Sequence, residues 1–345
     1  MAERDGDLGA VVAAARGGDE AAFGVLVDRF RPELTLHCYR MLGSLDDAED
    51  VTQEVFLLAW RGLAGFEERA SVRTWLYRIA THACLGRHAR DRRRRRLLAS
   101  TTVMDGVAAP VVATVPWLQP VPDDLLDRVV AREPDPAAAV ASRETVEVAF
   151  VAALQHLPPR QRAVAVLRDV VGWPADRCAT ALGTSVPAVN SALQRARAAL
   201  RRHLGPDESA WRARPAPTGD DRALIRRYID AVERADDVAI ASLLAPDAVV
   251  SHQPGAGGND TTEPAWYAGV DTILEAWAPA LHGPPLDMRW QEVWANRTPG
   301  AASWIRLPGT TEHRPFALTL LRVERGRVAE VAVFRPERLE AFGLR

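Results

Sequence analysis

The sequence predicts a multidomain protein in which two all-α regions are followed by an α+β domain. Apolar residues recur at helical spacing from about Leu8 to Leu97 and again from about Ala137 to Leu204. Proline-dense stretches at 98–136 and 212–221 interrupt that periodicity, because proline removes a backbone donor and clashes with the preceding turn. Beyond the second break, helical patterns give way to alternating strand-like runs. The expected organisation is a helical domain over 1–97, a connector over 98–136, a helical domain over 137–205, a linker over 206–219 and an α+β domain over 220–345.

Composition narrows the class. A chain of 345 residues that is 48% apolar can build two or three cores. Its net charge of -2 argues against a general nucleic-acid coat protein. Distribution matters more than the sum, since all 43 basic side chains are arginine and they cluster. Cys38, Cys84 and Cys178 are odd in number and far apart, so a disulfide framework is not expected and a reducing compartment fits. No run approaches the ~20 apolar residues needed to cross a bilayer. The expectation is a soluble, cytoplasmic protein without membrane contact.

In the first region Phe23, Leu26, Val27 and Phe30 are spaced for one buried helix face. Residues 46–63, DDAEDVTQEVFLLAWRGL, place Val51, Val55 and Leu58 on one side and Asp47, Asp50 and Glu54 on another. Acids in a first turn suit the helix dipole, but a stripe that extends further favours a protein partner with basic helices. From Phe66 to Arg96 the chain becomes cationic, with arginines at 87, 90 and 92–96 against the single acid Asp91. Such density favours phosphate contact. Upstream, Phe66, Trp75 and Tyr77 interleave with Arg69, Arg73 and Arg78, a mixture that either stacks unpaired bases or packs a core.

The 98–136 connector should lack long helices, although the WLQP segment is apolar enough for Trp117 and Leu118 to dock on a neighbouring surface. Residues 175–202, ADRCATALGTSVPAVNSALQRARAALRR, read as helix, turn, helix. Ala179, Ala181 and Leu182 offer a small apolar face, Gly183 supplies a permissive end, and Ser185 caps the next helix before Pro187. In the second helix Val186, Val189, Leu193 and Leu200 share one side, leaving Asn190, Ser191, Gln194, Arg195, Arg197 and Arg201 for base edges and phosphates. An amphipathic hairpin packed on another surface would show the same pattern.

In the last region helices are expected at Ala223–Arg234, Val238–Leu244 and about 270–281, with a strand in DAVVSHQP. Three or four further strands follow, in which the alternation at Trp290–Trp294 and Val328–Phe334 predicts one wet face. His37-Cys38 and Cys84 with His88 supply metal-ligand types without a compact cluster, so no metal or other cofactor is expected.

The order of DDAEDVTQEVFLLAW, F-x-x-R-x-S-x-x-T-W-L-Y-R-I-A-T-H-x-C, LPPRQRAVAVLRDVVGW and SVPAVNSALQRARAAL resembles that of extracytoplasmic-function sigma factors of bacterial RNA polymerase, over residues 20–204. Residues 215–345 resemble the SnoaL-like cone fold that some members carry. The resemblance implies that the first helical domain, sigma region 2, binds core polymerase and the -10 element. It implies that the second, sigma region 4 with its helix-turn-helix, binds the -35 element. Partners would be core RNA polymerase, through its β′ clamp helices and β flap, and promoter DNA, with an anti-sigma protein or a small ligand as further partners left open.

Residue by residue, the resemblance puts Asp47, Asp50, Gln53 and Glu54 on the helix that docks on the clamp. It gives the loop from Glu67 to Val72, including Arg69 and Ser71, an extruded -10 base, with Arg73, Trp75 and Arg78 nearby; Arg87 and Arg90 belong to the cationic run that continues this helix. It makes Ser185, Ala188, Asn190, Ser191, Gln194 and Arg195 readers of the -35 duplex, with Arg197 beside them on the same cationic face. The family commonly has Asn where this chain has His82, and an acid where it has Gly86. In the cone domain Asp247, His252, Trp266, Tyr267, Trp290, Trp294 and His313 are the residues that could line a pocket.

The reading is therefore a non-enzymatic initiation factor that recognises -35 and -10 elements and promotes DNA opening, adjusted by the cone domain. A stand-alone helix-turn-helix regulator is the first alternative, for which the acidic stripe would have no use. A small-molecule isomerase or hydrolase in residues 215–345 is the second.

Overall fold

A computed structural model describes residues 2–67, 70–91, 103–104, 107–132, 147–204, 219–283 and 287–344. The chain divides into two compact units, one formed from residues 1–92, 125–142 and 154–202, the other from 93–124, 143–153 and 203–345.

The first unit opens with α1 (Ala2–Arg16), α2 (Glu20–Leu42), α3 (Leu45–Gly62) and α4 (Val72–Arg90). Local chemistry sets each boundary. Asp19 caps α2 by accepting from the amides of Ala21 and Ala22 at 2.9 and 3.0 Å. Gly43 ends it at φ 74°, and a Cβ there would lie 2.9 Å from the Gln155 side chain, so the position needs glycine twice over. Ser44 and Ser71 cap α3 and α4 through the amides of Asp47 and Thr74, each at 3.2 Å. The second half of α2 is buried on every side, from Leu34 to Leu42, where α3 and α4 pack.

Further along come α5 (Asp123–Arg132), α6 (Val148–Gln155), α7 (Pro159–Ala165) running into a π-helical turn over Val166–Val170, α8 (Ala175–Leu182) and α9 (Val186–Leu204). Helix α5, ten residues long, lies inside the connector in which no long helix is expected. Pro122 lies just before its start, and residues 123–132 contain no further proline, so an amphipathic DDLLDRVVAR turn can form.

The helices from 154 to 202 belong to the same unit as α1 to α4. Arg162 is 3% exposed and donates to the carbonyls of Met41, Gln155 (2.7 Å) and Leu157 (3.2 Å) and to Gln155 Oε1 (2.6 Å). Gln155 in turn donates to the Arg40 carbonyl at 3.2 Å. A buried guanidinium is tolerable only when its donors are met, and here backbone carbonyls meet most of them.

The second unit contains a short hairpin of β1 (Val103–Met104) with β2 (Val107–Ala108), then α10 (Gly219–Glu233), α11 (Asp237–Leu243), β3 (Leu244–His252), β4 (Ala265–Ala268), α12 (Val270–His282), β5 (Asp287–Ala295), β6 (Thr298–Arg306), β7 (Arg314–Glu324) and β8 (Arg327–Phe334). The six strands β3 to β8 order as β4-β3-β8-β7-β6-β5, antiparallel except for the parallel β3/β8 pair. Leu224, Ile225, Tyr228, Ile240 and Ile273 pack their helices on Val250, Leu321 and Val331 of the sheet.

Alternation predicts one wet face for β8, yet Val328 to Phe334 are buried on both. One face packs on the helices; on the other, Glu330 is paired with Arg322 (3.0 Å), which offsets the cost of covering its carboxylate. The connector segment supplies packing within this unit. Trp117 (9% exposed) and Leu118 (1%) are buried, and Gln253 donates to the carbonyls of Val115 (3.3 Å) and Leu118 (2.8 Å). Two bonds join Val121 and Asn296: the Val121 amide donates to Asn296 Oδ1 at 2.8 Å, and the Asn296 amide donates to the Val121 carbonyl at 3.0 Å. Asp123 accepts from the Arg297 amide at 2.8 Å and pairs with its guanidinium at 3.4 Å. Asn296 and Arg297 both adopt positive φ in the tight β5–β6 turn, which aims these groups at the connector.

Candidate nucleic-acid interface

Helices α8 and α9 meet at Gly183, whose φ of 61° lets the chain leave α8 while the Thr184 amide returns to the Ala179 carbonyl at 2.9 Å. Ser185 Oγ then accepts from the Ala188 amide at 3.3 Å and starts α9. On α9, Val189, Leu193, Ala196 and Leu200 are buried, while Ala188, Asn190, Ser191, Gln194 and Arg195 are exposed, as is Ser185 at its cap. Val186 departs from the predicted apolar side, for in the first turn it is 38% exposed. Arg197 is exposed as well, yet its guanidinium forms a two-point pair with Asp169, at 3.0 and 2.6 Å. Asp169 thus competes with any phosphate for that side chain.

Along α4 the interleaved residues separate by role. Tyr77 is buried, and its hydroxyl donates to Glu33 at 3.3 Å; burial, with Glu33 next, holds its pKa above the usual phenol range. Arg73 donates to the same carboxylate at 2.8 Å. Trp75 is half-buried against the Phe66 ring, centroids 5.0 Å apart. Glu67, Ser71 and Arg78 are exposed. Arg69 and the arginines at 92–96 lie outside the described residues.

On α3, Asp50, Gln53 and Glu54 face solvent, but Asp47 is buried and its carboxylate is paired with Arg87. Arg87 also approaches Asp50, and Arg90 approaches Glu54, each at 4.0 Å. The two sets of sequence-selected residues, acids on α3 and arginines on α4, therefore form one ladder. Periodicity groups Leu58 with Val51 and Val55 on a buried side, yet it is 41% exposed, and Leu57 is 59% exposed. At about 100° per residue Leu58 lies between Val51, about 20° away, and Glu54, about 40° away, so it sits on the border of the buried side and its exposure makes the edge of the acidic face apolar.

In the α+β domain the candidate pocket residues do not converge. His252 is buried against the Tyr267 ring at 5.8 Å, and burial lowers its pKa. Tyr267 and Trp294 pack on the domain core, whereas Trp266, the preceding residue along β4, points to the opposite sheet face. Trp290 is half-buried, and Asp247 is exposed in the bulge between Leu244 and Val249. His313 pairs with Asp287 at 3.0 Å at the far end of the sheet. An open groove of about 390 Å³ is lined by Leu244, Pro246, Asp271, Thr272 and Arg327, among others, and by none of these candidates.

Among the described residues no three His, Cys, Asp or Glu side chains are grouped to hold a metal. His37 instead bonds Thr81 Oγ1 at 3.0 Å, and burial, with Arg40 next, pulls its pKa down to about 3. Among the described residues no helix is long and apolar enough to cross a membrane.

Known proteins resemble this chain along nearly its whole length. The sigma-70 region 2 family model matches residues 26–95, sigma-70 region 4 matches 147–200, and the SnoaL-like domain matches 225–331. The ECF RNA polymerase sigma factor SigG of Mycobacterium tuberculosis is 40% identical over 336 residues, which cover 93% of this chain and 84% of that one. The ECF RNA polymerase sigma factor SigW of Bacillus subtilis is 30% identical over 187 residues, 54% of this chain and 91% of that one. The crystal structure of the Mycobacterium tuberculosis extracytoplasmic function sigma factor SigJ shares the fold, with a TM-score of 0.57 at 22% identity, covering 92% of this chain and 98% of that one. An acidic helix, an aromatic and cationic helix, a helix-turn-helix and a cone domain, in that order and with that identity, place this chain among the ECF sigma factors of RNA polymerase, in the form that carries a SnoaL-like domain after its two sigma regions.

Proposed function

We propose that Asp50, Gln53 and Glu54, with Leu57 and Leu58 beside them, form the surface of α3 that docks on core polymerase. Asp47, itself buried, serves that surface from behind through its pair with the partly exposed Arg87. Trp75, Arg78 and the loop from Glu67 to Ser71 hold the opened -10 strand, and the exposed residues from Ser185 to Arg195 read the -35 duplex. Extruding a base costs a few kcal/mol, and a pocket that accepts it offsets that cost, so melting needs no covalent step. The observation that carries this reading is α9 itself: its apolar side is buried while the candidates for base and phosphate contact are exposed.

The cone domain acts as a regulatory module and not as a catalyst. Asp247 in an exposed bulge and His252 buried beside Tyr267 do not make an acid–base pair, and the connector bonds to Gln253, Asn296 and Arg297 give the domain a grip on the segment between the sigma regions. The protein works in the cytoplasm, where polymerase is. Run-off transcription with purified core enzyme tests the assignment. Charge reversal at Asp50 and Glu54 should abolish co-purification with core, Arg195→Ala should leave core binding intact and lose -35 dependence, and truncation after about Gly205 should change the level of transcript. If both point variants transcribe like the parent, the assigned roles are wrong.

A further inference from the structure

We infer that Asp169 sets how strongly the -35 helix holds duplex DNA, by keeping Arg197 from the phosphate backbone so that α9 grips one flank of the groove only. The inference rests on the proposed reading that α9 enters the -35 duplex, and it goes beyond that reading by giving a role to a residue outside the helix-turn-helix.

Helix α9 carries no carboxylate of its own from Val186 to Leu204. The acid that meets it comes from the π-helical turn, where the Val171 amide reaches back five residues to the Val166 carbonyl at 2.9 Å. Such a turn inserts one residue into the helical repeat, so its side chains are aimed differently from those of a continuous α-helix. Asp169 lies in this turn, and Arg197 takes both its oxygens, Oδ2 through Nε at 3.0 Å and Oδ1 through Nη2 at 2.6 Å. This fork-to-fork match fixes the direction of the guanidinium and offsets its charge.

The place of Arg197 on α9 decides what the pair withholds. At about 100° per residue, with Asn190 as origin, Gln194 lies at about 40°, Ser191 at about 100°, Arg195 at about 140° and Arg197 at about -20°. The buried Val189, Leu193, Ala196 and Leu200 fill the arc from about 240° to about 300°, so the exposed polar arc ends at Arg195 on one side and at Arg197 on the other. A helix in the major groove, about 12 Å wide, turns the middle of such an arc to base edges and its two margins to the two sugar–phosphate strands. Arg195 is exposed at one margin. Arg197 stands at the other with its charge already met by Asp169. Arg197 is 53% exposed and Asp169 29%, so the pair exchanges with water and a phosphate can contest it, but the net positive charge that would draw the phosphate in is gone.

The test follows the full-length chain by fluorescence anisotropy over a salt series, on a short duplex that this chain selects from a random pool and on the same duplex scrambled. Asp169→Asn keeps the side-chain shape and removes the charge. It should bind both duplexes several-fold more tightly at low salt, by the same factor, with a log–log salt slope steeper by about 0.9, as one added phosphate contact requires. Asp169→Glu, which keeps the charge, should stay near the parent. In an Arg197→Ala background Asp169→Asn should bring little of that gain. Arg197→Ala alone should leave the parent's salt slope unchanged, and a shallower slope for it would overturn the inference even where melting shows that Asp169→Asn fails to fold. A full gain that persists without Arg197, a gain confined to the selected duplex, or no gain from folded Asp169→Asn would also overturn it, with the reading of α9 left standing. Failure of the parent to select any sequence would remove that reading itself.

Discussion

The carboxylate of Asp47 on α3 is held by the guanidinium of Arg87 on α4, which ties the helix proposed to dock on polymerase to the helix proposed to hold the -10 strand. Asp47 is 7% exposed and Arg87 is 37% exposed, so the pair is half-screened. Arg87→Ala should lower the unfolding free energy by about 1–2 kcal/mol, less than for a fully buried pair, and Arg87→Lys should recover part of it. Urea unfolding of the three proteins measures this. An unchanged midpoint for the alanine variant would show that the pair carries no stability.

His37 gives the first unit a pH dependence with a definite sign. Its folded pKa of about 3 lies below the unfolded value of 6.5, so the unfolded chain takes up the proton first as pH falls. Stability from this group is complete above 6.5 and declines toward 3. Between pH 7 and 5.5 the loss should be about 1 kcal/mol, read from urea midpoints at the two pH values. His37→Asn should flatten that difference. The buried His252 pulls in the same direction, so the comparison with the variant isolates His37.

Arg195 and Arg197 sit two residues apart on α9 and should behave differently. Arg195→Ala should weaken binding to a -35 duplex by about tenfold or more and reduce its salt dependence. Arg197→Ala should change affinity less, because Asp169 already engages that side chain. Fluorescence anisotropy over a salt series distinguishes them, and equal losses would contradict the Asp169 pairing in solution.

Asn296→Ala removes the acceptor for the Val121 amide from a buried site. The connector should then loosen by about 1–3 kcal/mol, the cost of leaving a buried donor unmet. Hydrogen exchange at residues 115–123 should accelerate accordingly, with strands β6 and β7 unaffected. Unchanged exchange at Val121 would mean that the connector is anchored by its apolar residues alone.

The sequence is most legible where structure is local. Gly183, Ser185 and the 3.6-residue spacing of Val189 and Leu193 lie within one short stretch, so turn chemistry and periodicity decide them together. Leu58 escapes its predicted side because a helical wheel shows angles and not neighbours, and the side chain stays open to solvent near the end of α3. The burial of both β8 faces is hidden for the same reason: alternation reports a wet face only when nothing covers it. The bond between Val121 and Asn296 spans 175 residues and leaves no periodic trace. Only the Asn296-Arg297 pair in a tight turn signals it, and that pattern reads as a hairpin and not as an anchor. The sharing of one carboxylate by Arg73 and Tyr77 is likewise invisible, since Glu33 is 40 residues from Arg73.

The parallel pairing of β3 with β8 bears on the protein's birth. Leu244 lies opposite Val328 and His252 opposite Val333, so the sheet cannot close until the codon for Val333 has been translated. Both sigma regions are made well before that point, and nonlocal strand pairing is slow. Each nascent molecule therefore passes through an interval in which its promoter-reading helices exist without the cone domain, and any restraint that the domain imposes begins only after that delay.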